Sequence, residues 1–165
     1  MTTSDKQHQA GSPLKKTLQM GVVIILVSIL GYYGNQTVQS YLGQQAIDQT
    51  GLTPRTLAQA LELANSSDKL VLADMSAIWC PSCRKLDQQV FSDEHVKTQL
   101  NKDFVYARIE YDSPAGEDFM QHYQVTGFPT LLILNAQGEK LVQLPVSYEP
   151  EPFLAALKKV VKAIP

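Results

Sequence analysis

The chain is poor in cysteine: its only two, Cys80 and Cys83, stand three positions apart. Two neighbouring thiols cannot provide the several cross-links that hold a small disulfide-rich secreted domain together, so a structural disulfide framework is excluded. A second cysteine pair is missing as well. His95 and His122 do not stand at the spacing of the standard zinc motifs, so the sequence predicts no metal site.

The chain also lacks internal repeats, low-complexity tracts and any stripe in which basic and aromatic residues alternate. Its 14 basic and 16 acidic residues give a net charge of −2, so nucleic acid is not expected as a partner. With 44% hydrophobic and 18% charged residues, the composition is that of a globular protein. The length suits one ordinary domain with an appendage, and no cofactor is expected.

Charge is missing altogether between Thr17 and Ile47. An apolar run at residues 20–33 lies inside this stretch, and an uncharged helix can extend past both ends to the roughly 17–25 residues of a membrane span. Lys15 and Lys16 precede the run, and no basic residue follows it until Arg55. This asymmetry places the N-terminus in the cytoplasm.

Three interpretations of the apolar segment compete: a buried core helix, a cleavable signal peptide and an uncleaved anchor. A lipoprotein signal is excluded because no cysteine follows closely. The flanking charges argue against a core helix. No A-x-A cleavage site is present, and the small residues at 38–40 are a weak substitute. Cleavage would give a secreted periplasmic protein. We expect the anchored arrangement, with these parts: 1–16 cytoplasmic tail, 17–34 transmembrane signal anchor in the lipid bilayer, 35–52 linker or helical extension, and 53–165 extracytoplasmic domain.

Helical and strand patterns largely alternate in the rest of the chain. Thr53-Pro54 is typical of a helix start, and apolar residues spaced i, i+3, i+4 and i+7 continue that helix to about Asn65. The apolar run 69–75 predicts a strand buried on both faces. The alternation, with a hairpin near the end, predicts an α/β fold in which helices flank a central mixed sheet. Further strands are predicted at 104–111, 130–134 and 140–144, and further helices from Pro81, from about Asp93, over 115–123 and from Phe153 onward.

Both cysteines lie in a WCPSC sequence where a strand is predicted to give way to a helix. Pro81 suits the first helical position, so Cys80 would lie at the helix N-terminus, where free N–H groups and the helix dipole stabilise a thiolate. Cys83 would lie on the same face, near enough to close a disulfide. We therefore expect Cys80 to be the exposed attacking nucleophile, Cys83 the shielded resolving thiol, and Cys80–Cys83 the redox-active disulfide.

Three segments of the chain resemble the thioredoxin superfamily. VLADMSAIWCPSC at 71–83 is similar to its active-site segment, and VTGFPT at 125–130 is similar to its cis-proline loop. VFSDEHV at 90–96 resembles the thioredoxin-like C-terminal periplasmic domain of the DsbD family of interchange proteins. The resemblance runs from about residue 53 to the end, outside the apolar segment. It implies a thioredoxin fold and thiol–disulfide exchange.

The resemblance implies roles for three charged residues, each with an open alternative. Asp74 would be a buried carboxylate that takes the proton of Cys83 as a mixed disulfide resolves, or else a solvated strand-end residue. Asp87 matches an acidic position in the DsbD domain and would tune the thiols, or else lie on a solvated helix face. Arg108 stands where thioredoxins often carry a lysine near the aspartate, or else is an exposed strand charge.

The resemblance also implies a substrate-binding surface beside the two cysteines. Pro129 would be cis, and backbone groups of Phe128 and Thr130 would bind a peptide strand; an ordinary turn proline is the alternative. Pro81 and Trp79 complete this predicted surface. Trp79 would serve as its apolar rim, as core packing, or as both.

The sequence leaves three functions open. The first is a membrane-anchored reductase of disulfides in extracytoplasmic proteins, located in the bacterial inner membrane with its domain in the periplasm. A single transmembrane helix cannot carry reducing equivalents, so this function needs a membrane electron donor of the DsbD or CcdA type. The second is a disulfide oxidase or isomerase that uses the same site. The third is a thioredoxin-fold copper chaperone, for which Met75 alone is little support.

Overall fold

A central mixed sheet organises the domain, and the computed structural model describes residues 13–163 of the chain. The strand order is β2-β1-β3-β4, with β1 parallel to β2 and antiparallel to β3, and with β3 antiparallel to β4. The predicted α/β thioredoxin fold is confirmed. The strands are β1 (Leu70–Ser76), β2 (Phe104–Glu110), β3 (Thr130–Leu134) and β4 (Lys140–Leu144).

Helices cover both faces of this sheet. One layer of buried side chains contains Leu72, Tyr106 and Leu131, together with residues from the helices that follow the CPSC motif. The other layer contains Val71 and Met75 of β1 and packs against α2 and α5. Adjacent strand residues point to opposite faces, so an apolar strand such as β1 supplies both layers. The helices are α1 (Pro13–Thr50), α2 (Leu57–Ser67), α3 (Pro81–Leu86), α4 (Glu94–Asp103), α5 (Pro114–Tyr123) and α6 (Pro150–Ala163), and a π-helical turn (Asp87–Phe91) follows α3.

The start of α2 differs from the prediction. The helix begins at Leu57, because Thr56 forms a capping box with Gln59: the Thr56 hydroxyl accepts from Gln59 N–H, and the Gln59 side chain accepts from Thr56 N–H. These two hydrogen bonds satisfy two backbone N–H groups at the start of the helix. Residues 53–55 instead run beside the sheet, where Arg55 forms an isolated parallel bridge to β2.

Helix α1 contains the boundary between two compact units, which lies between Thr37 and Val38. In the first unit, the apolar side chains from Leu18 to Tyr33 are exposed. By length and composition, this helix could cross a membrane. In the second unit, residues 38–50 are helical, which favours the helical extension over a flexible linker. Residues 1–12, most of the predicted cytoplasmic tail, lie outside the described residues.

Candidate active site

Cys80 caps the helix that carries Cys83. The chain turns after β1 as Cys80 N–H donates to the Ala77 carbonyl over 2.9 Å. Cys80 keeps an extended backbone, Pro81 takes the first helical turn, and Cys80 Sγ accepts a 3.1 Å hydrogen bond from Cys83 N–H. Sγ also lies 3.0 Å from the Ser82 hydroxyl. The predicted helix start is therefore confirmed, and the Cys80 sulfur occupies the capping position.

Exposure does not distinguish the two thiols. Cys80 is 3% exposed and Cys83 is 1% exposed, so the predicted exposure of Cys80 is wrong. The physical reason is that the Cys80 sulfur turns inward to cap α3, in a small apolar cluster with Ala77, Trp79 and Phe128. The two thiols differ in their surroundings instead, since only Cys80 has its sulfur at the open end of the helix.

The environment of Cys83 keeps its thiol protonated at neutral pH. Burial, the hydrogen bond and charge of Cys80, and the charge of Asp74 raise the pKa of Cys83 to about 12. A thiol in this state needs a nearby base before it can attack. These surroundings suit a resolving thiol.

Asp74 is fully buried, so the predicted buried carboxylate is confirmed and the solvated strand end is not observed. Its Oδ1 accepts a 2.6 Å hydrogen bond from the Ser76 hydroxyl, and its Oδ2 accepts a 2.7 Å bond from the Tyr106 hydroxyl. Arg108 Nη1 lies 3.2 Å from the same Oδ2. Burial and the Asp74 charge raise the pKa of Tyr106 well above its ordinary value, so this phenol remains a donor.

Arg108 joins Asp74 to Asp87. The Arg108 side chain is 8% exposed, and Nη1 lies 2.9 Å from Asp87 Oδ1. Asp87 is itself 1% exposed, so the solvated alternatives for both residues are wrong. Burial raises the pKa of Asp87 to about 6 despite the opposing charge of Arg108. Two buried atoms, Asp87 Oδ2 and Arg108 Nε, have no hydrogen-bond partner among the described residues.

The cis-proline loop lies beside the cysteine segment. The Phe128–Pro129 peptide bond is cis, as predicted. The Phe128 ring meets Trp79 edge-on at 5.6 Å between centroids and lies 4.6 Å from the Tyr111 ring. Thr130 begins β3 and is 8% exposed. Pro81 is exposed, so it is open to a partner.

Sequence reasoning missed a group of residues at the end of β2. Glu110 Oε1 accepts a 2.8 Å hydrogen bond from Ile78 N–H, and burial raises the pKa of Glu110. Asp112 Oδ2 accepts a 2.5 Å hydrogen bond from Trp79 Nε1. Parallel pairing of β1 with β2 would have indicated these residues, because it brings the ends of the two strands together. Glu110 and Asp112 fix the loop that leads to Cys80, and Tyr106 fixes the Asp74 carboxylate.

No group of three or more histidine, cysteine or acidic side chains placed to hold a metal occurs among residues 13–163. What the site does assemble is a capped thiol, a protonated second thiol and a buried carboxylate beside it. Thiol–disulfide exchange needs a nucleophile, a resolving group and a proton acceptor, and these are the residue types that can supply them.

Comparison with known proteins agrees with this geometry. A family model described as a thioredoxin-like domain matches residues 57–161. The thiol:disulfide interchange protein DsbD of Colwellia psychrerythraea is 31% identical over 90 residues, which cover 53% of this chain and 15% of that protein. The DsbD of Yersinia enterocolitica is 30% identical over 110 residues, covering 66% and 18%. The chain thus matches less than a fifth of the length of these curated relatives.

Comparison with solved structures also indicates the thioredoxin fold. A thioredoxin from Thermus thermophilus superposes with a TM-score of 0.59 at 29% identity, covering 67% of this chain and 87% of that one. The C-terminal domain of Neisseria meningitidis DsbD, in its oxidised form, shares the fold with a TM-score of 0.52 at 18% identity, covering 62% and 90%. The chain belongs to the thioredoxin-like domain family.

Proposed function

We propose that this protein is a membrane-anchored reductase that cleaves disulfides in extracytoplasmic proteins through the Cys80–Cys83 dithiol. The carrying observation is the buried charge behind the thiols. Two buried acidic side chains, Asp74 and Asp87, share a single cation, Arg108. Strong oxidases stabilise their thiolate and thereby their reduced form, whereas a buried negative charge opposes a thiolate. The site therefore favours donating electrons over taking them.

The reaction proceeds in two exchanges. The Cys80 thiolate attacks one sulfur of the substrate disulfide, forming a mixed disulfide, and the other substrate sulfur leaves as a thiolate and takes up a proton. Cys83 then gives its proton to a carboxylate, for which we assign Asp74, and attacks Cys80 Sγ. The second substrate sulfur leaves, so the substrate gains two electrons and the Cys80–Cys83 disulfide forms.

The proposed peptide-binding surface comprises Trp79, Pro81 and the cis-proline loop. The Phe128 ring packs on Trp79 and on the apolar cluster that contains Cys80 and Cys83, which supports this surface. A substrate strand that pairs with the backbone of the cis-proline loop would bring its disulfide to Cys80. Arg108 and Asp87 would tune the reaction through Asp74.

The proposed location is the bacterial inner membrane, crossed once by residues 17–34. The length and composition of α1 and the lysines before the apolar run support this topology, with the N-terminus in the cytoplasm and the domain in the periplasm. The chain holds no thiols besides Cys80 and Cys83, so reduction across the membrane needs a separate donor. We propose a membrane protein of the DsbD or CcdA type.

The test is the redox state of the pair in cells. Acid trapping followed by alkylation should find Cys80 and Cys83 mostly as thiols when the donor is present and as the disulfide when it is deleted. A pair that is mostly oxidised in wild-type cells and indifferent to the donor would establish an oxidase instead. In vitro, the purified protein should speed insulin reduction by dithiothreitol. If the purified protein lacks this activity and retains copper on a desalting column, a copper chaperone is favoured.

A further inference from the structure

The second half of α1 contacts the active-site segment on both sides of the CPSC motif. Residues 38–50 belong to the same compact unit as the thioredoxin-like domain. Gln39 Oε1 accepts a 2.6 Å hydrogen bond from Nη1 of Arg84, the residue directly after the motif. One turn further along the helix, Gly43 lies against Ile78, which precedes the motif. The helix therefore holds the chain just before and just after the two cysteines.

The contact at Gly43 requires glycine. A Cβ placed on Gly43 would lie 1.8 Å from the Ile78 carbonyl oxygen, closer than any real contact. The same helix face continues through Ala46, which is fully buried, and Thr50, which is 2% exposed. Small residues at this spacing let the helix backbone approach the loop directly. Any side chain at position 43 would separate the helix from the loop.

The Ile78 peptide is thereby held from two directions. Its N–H donates to Glu110 at the end of β2, and its carbonyl faces Gly43 of α1. The next residue, Trp79, is tied to Asp112 through its indole N–H. These contacts fix the peptide that leads into Cys80, whose sulfur must approach a disulfide in line to react.

We propose that Gln39 and Gly43 are positioning residues for thiol–disulfide exchange at Cys80. Gly43 lets α1 sit against the Ile78 peptide, and Gln39 anchors the helix to Arg84 at the other end of the motif. The second half of α1 then contributes directly to the geometry of the active site. The inference rests on the proposed role of Cys80 as the attacking thiol.

The first test compares the same substitution at two glycines of α1, in the full chain in detergent micelles. Gly43→Ala should force the helix off the loop, whereas a Cβ at Gly34 meets nothing within 4 Å, so Gly34→Ala is the matched control. Both changes raise helix propensity equally. Exchange of the reduced protein with bis(hydroxyethyl) disulfide should slow about 10- to 100-fold in Gly43→Ala alone, the cost of a misplaced reacting atom.

The same variants carry a local spectroscopic readout, since Trp79 is the only tryptophan of the chain. Acrylamide should quench its fluorescence more strongly in Gly43→Ala than in wild type or Gly34→Ala, while the circular dichroism melting curve shows that the fold persists. Unchanged quenching together with an unchanged exchange rate in Gly43→Ala would overturn the proposal.

The second test is a double-mutant cycle that does not depend on a clash. Gln39→Ala and Arg84→Ala should each slow exchange, and the double variant should be no slower than the worse single one, with a coupling of about two- to ten-fold for one hydrogen bond. Gln39→Glu retains an acceptor and should restore the rate, and exposed Gln49→Ala should leave it unchanged. Strictly additive effects would show that Gln39 does not act through Arg84 and would overturn the proposed role of this hydrogen bond.

The two hypotheses fail in different ways. If Cys80→Ala exchanges with the probe as fast as wild type, Cys80 is not the attacking thiol, and the proposed function falls together with this inference. If exchange requires Cys80 but ignores Gly43 and Gln39, only this inference falls.

Discussion

Arg108 and Asp87 form a buried ion pair, with Arg108 Nη1 2.9 Å from Asp87 Oδ1, directly behind the helix that carries the two thiols. The same nitrogen lies 3.2 Å from Asp74. Burial opposes the charge of Arg108, but the neighbouring carboxylates outweigh it and raise the pKa of this guanidinium further. One cation therefore holds two buried carboxylates in place, and its loss should affect both stability and chemistry.

Replacing Arg108 with methionine should destabilise the protein strongly. The change leaves Asp74 and Asp87 buried without their counter-ion, which costs about 3–5 kcal/mol in comparable pairs. Chemical denaturation of the purified chain at pH 7 measures the loss. The control is Lys97→Met, which breaks the surface pair with Glu94 and should cost about 0–1 kcal/mol. Equal losses in the two variants would show that the buried pair adds no stability.

Asp87 should make the protein less stable as the pH rises from 4 to 7. Its pKa is about 6 in the fold against 3.8 for the free group, so the folded state binds the extra proton between these values. The contribution of Asp87 to the free energy of unfolding is fully present below its pKa in the unfolded chain. It is lost as the pH rises through the folded pKa, by about 3 kcal/mol for a pKa difference of two units.

Free energies of unfolding measured between pH 4 and pH 8 test this. Asp87→Asn should flatten that part of the curve and gain stability at pH 7, whereas Asp118→Asn, at an exposed site, should follow wild type. A wild-type curve that climbs steadily to pH 7 would contradict the buried, proton-binding state of Asp87.

The two cysteines should behave differently when one is removed. Cys83→Ala should accumulate mixed disulfides through Cys80, because attack still occurs but resolution cannot. Cys80→Ala should accumulate none, since burial still raises the pKa of the Cys83 thiol and leaves it a poor nucleophile. Non-reducing gels of acid-trapped cells show these adducts. Adducts in Cys80→Ala but not in Cys83→Ala would reverse the two roles.

The N-terminal segment should stay on the mature protein. Edman or mass-spectrometric analysis should find the original N-terminus in the membrane fraction, because no good cleavage site follows the apolar run. Protease should reach residues 50–165 only after the outer side of the cell is opened. A soluble mature form that begins near Tyr41 would show a cleaved signal peptide instead.

Features with a local cause were predictable from the sequence. Pro81 takes the first helical position because its fixed backbone and missing N–H suit that position, and this places Cys80 at the cap. The apolar runs of β1 and β3 predict strands in the same way, whereas the cis-proline loop at Pro129 was expected from the resemblance alone. The helix start and the strands each depend on a few neighbouring residues, so the pattern carried the information. The start of α2 was mispredicted, because a capping box and a Thr-Pro pair compete within four residues.

Tertiary structure alone decided what surrounds the thiols. Arg108 meets Asp74 because β1 and β2 pair in parallel in one register, and a shift by one residue would turn that side chain to the other face. Likewise, Gln39 reaches Arg84 only because α1 packs on the domain. Residues far apart in sequence carry no periodic signal of their contact. Their burial and charge therefore depend on how the strands and helices meet, while the sequence by itself determined which segments form strands and helices and that the two cysteines stand at the start of a helix.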